Sequence, residues 1–157
     1  MTCQAKPFGL AFEFMGLFRK GYVNVSSETD SIVITPDIKK LAAECNLSFG
    51  FIQVFVPNAT SGITILENDP KIYEELKKRL EKQVPPSTEK RPERRSGTGK
   101  NEAHLRAQLI GHSVLIPFAE GKLQIGPWQE VVFFDFDDKV SRREFFILAS
   151  GEGAAKK

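Results

Sequence analysis

Apolar and polar positions alternate in part with a period of two through Phe8–Phe14 and again through Gly21–Val25. With the polar tip Arg19-Lys20-Gly21 between them, the two stretches predict a first pair of strands. Ile32-Val33-Ile34 then leads into a helix: Thr35 is placed to cap it, Pro36 takes its first position, Asp37 lies in its first turn, and Ile38, Leu41 and Ala42 form its apolar stripe up to about Asn46. Gly50–Val56 reads as a buried strand broken by Pro57, and Ser61–Glu67 as another, with the polar corner Asn58-Ala59-Thr60 between them. Asp69 and Pro70 open the strongest helix, where Ile72, Tyr73, Leu76 and Leu80 recur at spacings of three and four as far as about Gln83.

From Val84 to Lys100 the chain turns to Pro, Ser, Thr and Gly with five Lys or Arg against two Glu, the composition of a long exposed loop. A short helix is expected over Glu102–Ile110, then strands at Ser113–Pro117 and Lys122–Ile125 joined as a hairpin through Ala119-Glu120-Gly121. Trp128–Phe136 and Glu144–Ala149 are expected to pair around the charged turn Asp137-Asp138-Lys139, and the tail Gly151–Lys157 to fray. Helices interrupting strands whose connections are too short for crossovers predict an α+β class with mostly antiparallel sheets, in a single domain over residues 1–150.

Composition narrows the classes. At 157 residues the chain has the length of one domain, and thirteen Phe against one Trp and two Tyr predict an interior of aromatic volume without polar handles. The longest apolar runs, such as Phe145–Ala149, are far short of the roughly 18 residues a membrane helix needs. Met1–Leu10 lacks the layout of a secretory signal, so a cytoplasmic protein with no membrane partner is expected. Cys3 and Cys45 are too few and too far apart for a metal knuckle and read as free thiols. A net charge of +2 implies no nucleic-acid partner. Arg91, Arg94 and Arg95 in the loop before Lys100 would touch nucleic acid only through phosphates, and without interleaved aromatics they read as a solvated loop.

Four segments carry candidate chemistry. Asn58, Thr60 and Ser61, followed by Glu67-Asn68-Asp69, put hydroxyls, amides and acids at strand ends, although a plain turn draws on the same residues. Asn101-Glu102-Ala103-His104 sets a carboxylate and an imidazole at a helix start, where simple capping is the alternative; two residues apart, Glu102 and His104 do not face each other as a dyad. Gly126-Pro127-Trp128-Gln129 is a sharp entry into a strand whose unique Trp serves equally as a core anchor. Arg142 and Arg143 are turn charges or a guanidinium clamp for an anion.

In order and spacing these segments resemble the YjbQ-like family, a group labelled secondary thiamine-phosphate synthase enzymes. The resemblance spans about residues 32 to 148 and rests on Val54-Phe55-Val56-Pro57 running into Ser61-Gly62-Ile63-Thr64-Ile65 and Glu67-Asn68, on Glu102-Ala103-His104, on Gly111 with Ser113, on Gly126-Pro127-Trp128-Gln129 and on Arg142-Arg143. It implies a sandwich-like α+β fold with a few helices, assembled as a homotrimer, and a reaction joining a pyrimidine pyrophosphate to a thiazole phosphate with loss of pyrophosphate. On that activity Glu67 or Glu102 would position a metal or water, His104 would donate a proton, Arg142 or Arg143 with Lys100 would hold phosphate charge, and Trp128 and Gln129 would shape the pocket.

The chain departs from the family pattern at the metal. Where the family shows His-Thr-Thr-Ala this sequence has Asn58-Ala59-Thr60-Ser61, the Asn normally before the glutamate is Leu66, the Tyr-x-His of the preceding loop has no counterpart, and Glu102 replaces Asp. His104 is the one remaining ligand of three. With the neutral amide of Asn58 it would make a weak zinc site, because zinc takes three or four strong donors. His112 reads as a surface or core-edge residue. Magnesium arriving with a phosphate needs fewer protein carboxylates, with Glu67, Asp69 and Glu102 as candidates. The competing reading is a non-catalytic trimer that binds a small phosphorylated molecule or other small anion and has lost the metal site.

Overall fold

In a computed structural model, which describes residues 14–26, 30–86 and 101–153, two antiparallel sheets pack face to face. The larger has five strands in the order β1 (Phe14–Val25), β8 (Ser141–Gly153), β3 (Leu47–Phe55), β5 (Ser113–Ala119) and β6 (Lys122–Leu123). The smaller has three, β2 (Asp30–Val33), β7 (Gln129–Asp135) and β4 (Ser61–Glu67), with β7 in the middle. Alternation places Ile52, Val54, Ile116, Phe118, Phe145 and Ile147 of the larger sheet against Ile63, Val131 and Phe133 of the smaller, and these residues are buried together in one apolar core. Helix α1 (Thr35–Glu44) closes one end of that core with Ile38, Leu41 and Ala42.

The other face of the smaller sheet is covered by α2 (Pro70–Gln83) and α3 (Asn101–Ile110). Tyr73 and Leu80 from α2, with Ala103 and Ala107 from α3, form a second buried cluster on Val132, Phe134 and Phe136. Asp69 caps α2 by accepting from the Lys71 amide at 2.8 Å, as its position before Pro70 predicts. Arg106 closes the other end of α2, donating from Nε and Nη2 to the Val84 carbonyl at 3.1 and 2.8 Å. Gly62 lets α3 lie close on β4, since a Cβ there would stand 2.7 Å from Ile110 Cγ2. The β5–β6 hairpin turns through Glu120 and Gly121, both at positive φ (51° and 70°), the backbone a two-residue type I′ turn requires.

The α+β class and its mostly antiparallel sheets stand as read from the sequence. Several local expectations do not. Arg19-Lys20-Gly21 makes no turn: β1 runs straight through it and pairs along its whole length with β8. Gly21 lies opposite Phe145, whose ring occupies the space where a Cβ would be, so this glycine makes room for an aromatic. Thr35 does not cap α1. Ile34 holds the cap position, and the Thr35 hydroxyl instead accepts from the Val131 amide at 2.7 Å, extending the β2–β7 ladder into the helix. The expected pairing of Trp128–Phe136 with Glu144–Ala149 is absent, because β7 and β8 belong to different sheets and the chain crosses between them after Phe136. β8 also continues to Gly153, past the expected start of a frayed tail.

Residues 8–13 of the first expected strand, Cys3, most of the basic loop including Lys100, and residues 154–157 of the tail lie outside the described residues. Cys45 is a free, buried thiol whose Sγ donates to the Ala42 carbonyl at 3.2 Å. No helix among the described residues is long and apolar enough to cross a membrane.

Candidate functional site

The corner after β3 and the start of β4 meet the end of β7, and the polar groups of all three are tied into one network. The Asn58 amide nitrogen donates to Ser61 Oγ at 2.8 Å and Thr60 Oγ1 at 3.1 Å. Both hydroxyls pass on to Asp135 Oδ1, at 3.0 Å from Ser61 and 3.4 Å from Thr60. Arg143 arrives from β8 in the other sheet: its Nε donates to Asp135 Oδ2 and its Nη2 to Asp137 Oδ2, each at 2.9 Å. Asp135 is 0% and Asp137 4% exposed, so the network is an ion triad held between the two sheets at one end of the sandwich.

Burial of the Arg143 guanidinium works to lower its pKa, but the hydrogen bonds and negative charge of Asp135 and Asp137 outweigh it, so the pKa is raised and the side chain is a fixed cation. Two carboxylates take one donor each, at Nε and Nη2, of its five. In this arrangement Arg143 faces anions of its own chain, which compensate its charge before any phosphate arrives. Arg142 is no partner in a clamp with it. One residue along a strand, it points to the opposite face, where its guanidinium lies 4.1 Å from the centroid of the Tyr22 ring.

Glu67, Trp128 and Gln129 stand at the other end of the three-stranded sheet. Along β4, Ser61 and Glu67 are about 20 Å apart at ~3.4 Å per residue, so one small molecule cannot touch both ends within one chain. Glu67 is paired across the ladder with Gln129, and Asn68 N donates to the Trp128 carbonyl at 2.8 Å. Gln129 is used locally, its Oε1 accepting from the Gly126 amide at 2.8 Å. Trp128 anchors no core: it is 73% exposed. Glu102 and His104 are carried by the first turn of α3, where Glu102 is buried and His104 half-buried. His112, just past α3, sits at the core edge with Nε2 2.9 Å from the Gln108 amide nitrogen. Among the described residues no three His, Cys, Asp or Glu are grouped so as to hold a metal ion, so the zinc site of the family pattern is not matched by the donors present.

At this far end Tyr73 donates to Asn68 Oδ1 at 3.2 Å. Burial raises its pKa above the ordinary 10.0, and the charges of Glu130 and Asp69 add to the rise. Below 10.0 both folded and unfolded chains keep the phenol proton. Above it the unfolded chain releases the proton first, so this contribution to stability is lost as pH climbs through the folded value. The unfolding free energy is therefore expected to drop above pH 10.0, and to drop less steeply in Tyr73→Phe. Equal slopes in urea titrations of the two proteins would show that Tyr73 ionises as freely folded as unfolded.

The sequence reading singled out Asn58, Thr60, Ser61 and Arg143 but not the two aspartates that join them. A signal was present: Asp135 interrupts the run Val131-Val132-Phe133-Phe134-Asp135-Phe136, and a carboxylate inside an apolar strand must find a partner to be buried.

A family model described as "UPF0047 protein YjbQ-like" matches residues 20–152 of this chain. The UPF0047 protein of Methanocaldococcus jannaschii is 31% identical over 134 residues, covering 85% of this chain and 94% of that protein. That of Archaeoglobus fulgidus is 34% identical over 94 residues, 60% of this chain and 73% of that protein. Among solved structures, an uncharacterised YjbQ/UPF0047-family protein from Clostridium acetobutylicum aligns with a TM-score of 0.75 at 32% identity, covering 83% of this chain and 98% of that one. A YbjQ-like protein of unknown function from Sulfolobus solfataricus shares the fold, with a TM-score of 0.80 at 23% identity over 89% of this chain and 100% of that one.

Proposed function

Since this chain belongs to the UPF0047 YjbQ-like family, we propose that it acts in the cytoplasm as a homotrimeric protein that binds a small phosphorylated molecule without turning it over. The ligand class and the trimer follow from the family resemblance. The loss of turnover is carried by one observation, the closed network around Asp135. Asn58 stands where the family pattern has a histidine, and its amide nitrogen is committed to Thr60 and Ser61, while Asp135 and Asp137 compensate Arg143. Asn58 and Arg143, two of the groups that condensation would call on to hold a metal or the departing pyrophosphate, are thus engaged with their own chain.

Thiamine-phosphate synthase activity is the finer reading that this one displaces, and both can be put to one preparation. Purified protein is titrated calorimetrically with inorganic pyrophosphate and with thiamine phosphate, then supplied with the pyrimidine pyrophosphate, the thiazole phosphate and magnesium. Saturable binding with no thiamine phosphate formed is the expected result. Product that appears with the wild type and disappears in Arg143→Ala combined with Glu102→Gln, both folded by circular dichroism, would establish the synthase instead. Absence of binding and product alike would end both readings.

A further inference from the structure

The two sheets are not covered alike. The three-stranded sheet carries α2 and α3 on its outer face, whereas no described element lies over the outer face of the five-stranded sheet. β3 shows the difference along one strand. Ile52 and Val54 are buried in the core, while Phe49, Phe51 and Phe55 are 53, 50 and 41% exposed on the other side, so the strand is apolar on both faces, the pattern of a strand covered on both. Across β8, β3 and β5 this outer face dips into a hollow of about 580 Å³, walled by Phe49, Phe51, Pro117 and Ala119, with Ser150 and Glu152 on its β8 side.

β1 begins beside that hollow. Its first residue, Phe14, pairs with Glu152 of β8, and Glu152 pairs on its other side with Phe49 of β3. Residues 1–13 precede it, and within them the run Phe8-Gly9-Leu10-Ala11-Phe12 carries no charge and alternates large apolar residues with Gly and Ala. Such alternation suits an extended segment laid on an apolar surface: Phe8, Leu10 and Phe12 fall on one side of it, and Gly9 and Ala11, with little apolar area to leave in water, on the other. The reach is sufficient. β1 and β3 are two strand spacings apart, about 10 Å, which three extended residues span at ~3.3 Å each, and Leu10 stands four residues ahead of Phe14 and Phe8 six. The run also lies ahead of residues 20–152, the part of the chain that the family model matches.

We infer that residues 8–12 dock across the outer face of the five-stranded sheet of their own chain, with Phe8, Leu10 and Phe12 against the hollow. The test reads the accessibility of the hollow in full-length protein. In a Cys3→Ser background the buried Cys45 is the one native thiol left, and Ala119→Cys adds a second in the wall of the hollow. Its rate of reaction with a maleimide is compared between the native segment and a chain carrying Phe8→Gln, Leu10→Gln and Phe12→Gln. A thiol under a docked cover reacts only when the cover opens locally, so labelling is expected to speed up roughly tenfold once the three anchors are polar. Leu109→Cys, on the exposed side of α3, is expected to react at one rate in both chains. Should Ala119→Cys fail to fold by circular dichroism, Phe51→Cys takes its place in the wall. Equal rates in the hollow overturn the inference, whether the face is open or covered by a second copy or another partner. Faster labelling at Leu109→Cys as well overturns it too, since the substitutions would then loosen the whole fold. Chains with the three glutamines and Ala119→Cys are also refolded with an excess of the Cys3→Ser chain: slow labelling restored in that mixture would put the segment on a neighbouring copy and overturn its assignment to its own chain, and labelling that stays fast supports it.

Discussion

Asp135→Ala is expected to lower the free energy of unfolding by about 3–5 kcal/mol, the range for breaking a buried ion pair from one side. The wild-type carboxylate accepts from Arg143, Ser61 and Thr60 at once and has no access to solvent. Its removal leaves a guanidinium with one partner where it had two and strips two buried hydroxyls of their acceptor, and each unmet donor adds to the cost. For a domain of this length the melting temperature should fall by on the order of 10 °C. Arg143→Met in the same background tests the cause: if the penalty comes from the stranded cation, the double variant should be more stable than Asp135→Ala alone. Equal instability would assign the loss to the hydroxyls, and a single-variant loss below about 1 kcal/mol would mean that water reaches the triad in solution.

Gly50→Ala is the second change expected to be severe, at about 3 kcal/mol, the upper end for forcing atoms into packed space. Gly50 and Gly151 face each other across β3 and β8, and a Cβ on either would press into the backbone of the other strand at the Ser150 or Phe49 carbonyl oxygen. Backbone cannot rotate aside as a flexible side chain does, so the two strands would have to separate at the centre of the larger sheet. Gly16→Ala in β1 is the matched control, since a Cβ there meets only the Ala149 carbonyl oxygen at an ordinary 3.5 Å. Chemical denaturation should separate the two by several-fold in free energy. Similar small effects would show that β3 and β8 can part locally without cost.

The glycines explain part of what the sequence concealed. Gly21 beside Arg19 and Lys20 has the composition of a turn, yet it sits mid-strand because Phe145 needs the space above it. That requirement lives 124 residues away in the chain and leaves no local trace. Arg142 and Arg143 show the converse. Period two separates them to opposite faces once both belong to one strand, but the expected strand began at Glu144, so the two arginines stood as equals.

Periodicity and turn chemistry suffice for the class of this protein, for α2 with its Asp69 cap and for the hairpin at Glu120-Gly121, because each depends on contacts among near neighbours; apolar character alone did not give the core, since Phe18, Phe49, Phe51 and Phe55 are exposed. Nor do periodicity and turn chemistry choose partners. β7 and β8 are both strongly apolar and separated by a short charged segment, which fits a hairpin as well as a crossing between sheets; long-range packing made it a crossing, and Arg143 on one sheet holding Asp135 and Asp137 from the other closes it. The same packing divided residues that looked like one site between two ends of a sheet and brought in an aspartate that looked like a flaw in a strand, since alternation specifies which side of a strand is buried but not what lies across from it.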